Sequence, residues 1–113
     1  MRSVRRGRRA RLFVPTVAAL EIAQKTSAGK LDLGPGLDAE GWLAVALSPP
    51  GLQVIPLSIE IALGAYRLPR PFHRDPADRI VVATARLLRV PVVTSDRQIL
   101  AYAAAGHVAA VPR

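Results

Sequence analysis

The order in which short β-rich runs alternate with helical runs constrains this chain more than any other feature. Strand-favouring residues occupy 11–14 (RLFV), 52–57 (LQVIPL), 90–94 (VPVVT) and 107–111 (HVAAV). Helical stretches with recognisable boundaries lie between them. Thr16 is a candidate N-cap for a helix over 17–28 that Gly29 ends, and Asp38 caps one running through Trp42 to Leu47, closed by 48–51 (SPPG). Ser58 caps a helix reaching about residue 67. Asp75, Pro76, Ala77 and Asp78 open the most apolar helix, 79–88 (RIVVATARLL), whose apolar residues run around nearly its whole circumference. Such a helix is buried on more than one side. A last helix spans 97–105 and ends at Gly106. Strand and helix in this alternation predict an α/β domain with a mainly parallel sheet.

Composition narrows the chemistry. The chain has 113 residues, half of them apolar, which suits one folded domain and argues against intrinsic disorder. There is no apolar run of roughly 20 residues to span a bilayer and no secretory signal pattern, so a soluble, cytoplasmic protein is expected. With no cysteine there are no disulfides, thiolate metal sites or cysteine nucleophiles. Two scattered histidines, His73 and His107, offer poor material for a zinc site or a histidine-based triad. Glycine-rich phosphate loops and the GxSxG elbow are also missing from the sequence. Catalysis, if present, rests on carboxylates.

The formal charge of +8 is unevenly placed. Arg2, Arg5, Arg6, Arg8, Arg9 and Arg11 supply +6, so residues 12–113 carry only +2. Clustered guanidiniums can neutralise a nucleic-acid backbone, or they can simply face water on an arginine-rich helical tail over residues 1–11.

Three acids are candidates for chemistry, each with a structural reading beside it. Asp78 sits three residues after Asp75 in an N-cap, proline, first-turn-acid pattern that helix capping explains by itself. Asp96 follows the third strand through Ser95, just beyond the carboxyl end of a parallel strand, where open α/β sheets place ligands; it can equally cap the helix that begins at Arg97. Glu21 lies among apolar residues, either at the edge of a buried stripe or facing a cleft. If the three met at the carboxyl end of the sheet, their repulsion would call for a divalent cation. Oxygen ligands with retained water favour Mg²⁺ or Mn²⁺. Carboxylates holding such a cation beside a basic surface suit hydrolysis of a phosphodiester.

Residues 72–85 (FHRDPADRIVVATA), followed by 91–96 (PVVTSD), resemble the C-terminal half of a PIN-domain ribonuclease of the VapC toxin type. Upstream, 11–23 (RLFVPTVAALEIA) resembles that family's strand and acid-bearing helix. The resemblance covers essentially the whole chain. It implies a three-layer α/β/α fold, a single PIN-like domain over 1–113 and a Mg²⁺- or Mn²⁺-dependent endoribonuclease. It further implies the toxin of a type II toxin–antitoxin pair, homodimeric and neutralised by a VapB-type antitoxin. By motif position it assigns Glu21, Asp78 and Asp96 as catalytic metal ligands and Thr94 as a supporting hydroxyl. Arg5, Arg6, Arg8, Arg9 and Arg79 are the RNA contacts expected with them. The family pattern opens with a strand ending in an aspartate, in the middle of the sheet. Ahead of Leu12 this sequence has eleven residues and no acid. Three outcomes are then expected: a sheet that closes up, a gap filled by another chain, or a start inside a longer reading frame. A remnant that binds RNA, antitoxin or its own copy without cleaving is the alternative function.

Overall fold

The computed structural model describes residues 12–113. The expected arginine-rich tail, with Arg5, Arg6, Arg8 and Arg9, lies outside the described residues. The chain is mixed α/β with parallel strands, as the alternation predicts, and divides into two compact units, one ending at Pro56 and one beginning at Leu57.

The first unit pairs β1 (Leu12–Pro15) in parallel with β2 (Leu52–Ile55), so that Leu12 faces Leu52 and Val14 faces Val54. Parallel neighbours need a long crossover, supplied here by α1 (Val17–Ser27) and α2 (Ala39–Ala46). Asp38 caps α2 as expected, its side chain accepting from Gly41 N at 2.8 Å. Thr16 does not cap α1. Its Oγ1 donates instead to Ile55 O at 3.0 Å, and its N–H reaches the same carbonyl at 2.9 Å. Both hydrogen bonds carry the β1–β2 pairing one residue past the strands, and Thr16 takes helical backbone angles (φ −57°, ψ −28°) instead of the extended ones usual for an N-cap.

The second unit contains α3 (Ile59–Ala65), α4 (Pro76–Leu88), β3 (Val92–Thr94), α5 (Arg97–Ala104) and β4 (Ala110–Pro112). Strands β3 and β4 are parallel, with Val92 opposite Ala110 and Thr94 opposite Pro112. The four strands thus form two separate parallel pairs rather than one continuous sheet among the described residues.

Local signals explain the helix boundaries. Ser58 accepts from Ile61 N at 3.1 Å and starts α3. Asp75 accepts from Ala77 N at 2.9 Å and Asp78 N at 3.2 Å, and Pro76 occupies the first helical position, where a missing N–H costs nothing. Helix α4 therefore begins three residues earlier than the apolar run alone suggests. Its buried residues, Val82, Ala83, Thr84 and Ala85, are consecutive and sweep about 300° of the helix surface. Over this stretch the helix is buried on more than one side, as the RIVVATARLL pattern predicts, while Arg86 and Leu87 beyond it are exposed. The core of this unit gathers Val82 and Ala85 of α4, Val92 of β3, and Ile99 and Tyr102 of α5. Fully burying a side chain such as Val82 contributes about 1.5 kcal/mol or more relative to leaving it in water.

Candidate active site

The expected site residues fall in both units. Glu21 is half-buried on α1 of the first, while Asp78, Thr94 and Asp96 belong to the second. Among the described residues, no group of three or more histidine, aspartate or glutamate side chains stands close enough to hold one metal ion.

Within the second unit, chain topology sets the two aspartates. Helix α4 feeds β3 through only three residues, and β3 leads through Ser95 into α5. Asp78 occupies that first turn. Asp96 follows β3 after Ser95 and caps α5, its Oδ1 accepting from Gln98 N at 2.8 Å and Ile99 N at 3.0 Å. The cap engages one carboxylate oxygen. Thr94, the expected supporting hydroxyl, accepts from Asp96 N at 3.0 Å and so fixes the backbone that carries this carboxylate. Both aspartates stand at helix N-termini, whose unpaired N–H groups and positive dipole ends favour anions. Capping and a chemical role are compatible at Asp96, whereas at the start of α4 the cap is Asp75.

His73 is a neighbour that the sequence did not single out. Its Nε2 is shielded from solvent and lies 3.0 Å from Asp78 Oδ2, an ion-pair distance without hydrogen-bond alignment. Its position two residues before Asp75 was the only signal, and spacing of that kind carries no periodicity.

Arg79 has a structural task that the sequence expectation of an RNA contact did not include. Its Nη1 donates to Ala65 O at 2.9 Å, Nη2 to Phe72 O at 2.9 Å and Nε to His73 O at 3.0 Å. The guanidinium also lies over the Tyr66 ring, 5.0 Å from its centroid. One side chain thereby ties the end of α3 and the segment carrying His73 to the first turn of α4. A second tie comes from α5, where the Tyr102 hydroxyl donates to Pro69 O. Burial pushes the Tyr102 phenol above its ordinary pKa of 10.0, with Arg86 and Arg79 opposing the shift.

The model of the PIN domain family matches residues 2–105. The chain belongs to the PIN domain family. A comparison with curated proteins and another with solved structures each returned no match. PIN domains are generally nucleases and usually employ divalent metal ions, so the family supplies a reaction class for the aspartates described above. No helix among the described residues of this PIN domain is long and apolar enough to cross a membrane.

Proposed function

We propose that the chain is a metal-dependent endoribonuclease that hydrolyses RNA phosphodiester bonds, the toxin half of a type II toxin–antitoxin pair of the VapC kind. The observation that supports the reading is that, in a chain of the PIN family, Asp78 stands in the first turn of α4 and Asp96 at the N-cap of α5, directly after β3. The donor set is oxygen, which suits a hard cation that keeps several waters and needs only one or two protein carboxylates beside substrate phosphate. Asp78 and Asp96 would hold Mg²⁺ or Mn²⁺, whose chemistry when bound is activation of water and neutralisation of charge on the phosphodiester.

The remaining steps fall to the chain itself. Thr94 holds the Asp96 backbone. His73 Nε2 lies 3.0 Å from Asp78 Oδ2. Arg5, Arg6, Arg8 and Arg9 supply a sequence-independent pull on the phosphate backbone. Glu21 belongs to the first unit and takes no part in this assignment. For partners, Ile59 and Leu63 of α3 and Tyr66 at its C-cap form an exposed stripe, at 78%, 47% and 64% exposure. An apolar stripe of that kind suits a second copy of the chain or an antitoxin helix.

A second reading, binding without cleavage, is favoured by a specific observation: both aspartates already have protein partners, Asp78 in His73 and Asp96 in two helix N–H groups. Incubating the full chain with structured RNA at millimolar Mg²⁺ or Mn²⁺ separates the two. Chelator-sensitive cutting supports the nuclease; RNA binding with no cutting at any metal concentration supports the binder.

A further inference from the structure

Both histidines of the chain border one cleft. It lies wholly in the second unit, occupies about 650 Å³, and is lined by Arg70, Phe72, His73, Gln98, Tyr102 and His107, with small residues between them. The rings form a continuous series. Phe72 and His73 have centroids 4.4 Å apart, Phe72 and Tyr102 4.7 Å, and Tyr102 and His107 4.7 Å. Both rims are fastened from below. Arg79 and Tyr102 hold the carbonyls of residues 69, 72 and 73, and Arg86 donates to His107 O. Arg70, on the rim, has a φ of 61°, a left-handed conformation that a non-glycine side chain adopts at a cost.

The lining selects a ligand by its chemistry. The half-buried rings of Phe72, His73 and His107, packed on the buried Tyr102, favour a flat π-system, the Gln98 amide offers one donor group and one acceptor to the edge of a heterocycle, and Arg70 supplies a cation. No carboxylate lines the cleft to repel an anion. A nucleotide combines these two features, a flat heterocycle and a negative charge. The cleft also adjoins both candidate catalytic aspartates through its own residues: His73 lies against Asp78, and Gln98 gives its backbone N–H to Asp96.

We infer that this cleft is a nucleotide subsite, which stacks one base of a single-stranded RNA on its half-buried rings and pairs the adjoining phosphate with Arg70, next to the segments that carry Asp78 and Asp96. The inference deepens the nuclease reading and rests on it for the role of the bound nucleotide, but not for the binding itself.

The test is a titration of the isotope-labelled full chain followed by NMR, in chelator so that no cleavage occurs. The ligands are adenosine 5′-monophosphate, a single-stranded RNA hexamer and inorganic phosphate. The expected result is saturable shifts at residues 70–73, 98 and 107 with the first two ligands and none with phosphate alone. Tighter binding of the hexamer identifies an RNA strand as the source of the nucleotide, and equal affinity overturns that part. Arg70→Gly, which keeps the left-handed backbone and removes the cation, and Gln98→Leu are each expected to weaken binding by about tenfold, with an unchanged spectrum away from the cleft. Shifts confined elsewhere, an equal response to phosphate, or affinity indifferent to both variants would overturn the inference. Nucleotide binding in a chain that never cuts RNA defeats the nuclease reading alone; cleavage with no binding at the cleft defeats the subsite alone.

Discussion

Replacing Arg79 with alanine removes three hydrogen bonds and a ring contact in one step. The three carbonyls it serves, on Ala65, Phe72 and His73, lie 2.9–3.0 Å from its nitrogens. A hydrogen bond to a charged donor contributes about 1.5–3 kcal/mol when shielded, and the half-buried setting lets water replace part of it. Taking about 1 kcal/mol for each, Arg79→Ala should destabilise the fold by about 3 kcal/mol. At a urea slope of about 2 kcal/mol/M, the unfolding midpoint followed by far-UV circular dichroism falls by about 1.5 M. Arg79→Lys is the sharper variant, because an ammonium keeps the charge but cannot present the fork that spans two chain segments. It should recover less than half of the loss. If Arg79→Ala stays within about 0.5 kcal/mol of wild type, or Arg79→Lys matches wild type, the guanidinium does not organise this segment.

Further outcomes follow from other contacts. Asp75→Ala removes the acceptor for two N–H groups at the start of α4 and should cost about 1 kcal/mol by chemical denaturation. Tyr66→Phe leaves Tyr102 as the remaining tyrosine of two, and its absorbance titration should show phenolate forming above the usual pH of 10.0. Because the folded-state pKa is raised, stability from the neutral phenol is complete below pH 10.0 and is lost as pH rises from there through the folded value; Tyr102→Phe should lack that alkaline loss. Exchanging Arg5, Arg6, Arg8 and Arg9 for alanine should lower the salt slope of single-stranded RNA binding by about 3, and an unchanged slope would remove those arginines from the interface.

The sequence was most legible where one residue acts on its near neighbours. Asp38, Ser58, Asp75 and Asp96 cap helices through bonds two or three residues along the chain, and all four positions are readable from the pattern. The buried helix α4 was legible for a similar reason, since its circumference is written in consecutive residues. Thr16 had the same local signature, yet its backbone is helical and its hydroxyl donates to a carbonyl 39 residues away, and no local rule foresees that pairing. Arg79 presents the same difficulty. Its charge suggested a phosphate contact, but its acceptors lie up to 14 residues upstream, on a segment whose path only the tertiary fold defines. The candidate site divides along this line too. Asp78 and Asp96 were legible as acids at helix starts, whereas His73 and His107 looked scattered because α4, β3 and α5 separate them before the fold brings them to one cleft.

Single-turnover cleavage of RNA in Mg²⁺ by wild type, Asp78→Asn, Asp96→Asn and the double variant tests the central claim most directly. Two carboxylates that serve one cation act as a unit, so their losses should not add. Each single variant should slow cleavage by about a hundredfold or more while keeping the wild-type fold by circular dichroism, and the double variant should be no slower than the worse single one. Cleavage at the wild-type rate in either single variant, or a double variant slowed by the product of the two single effects, would contradict a shared metal site at Asp78 and Asp96.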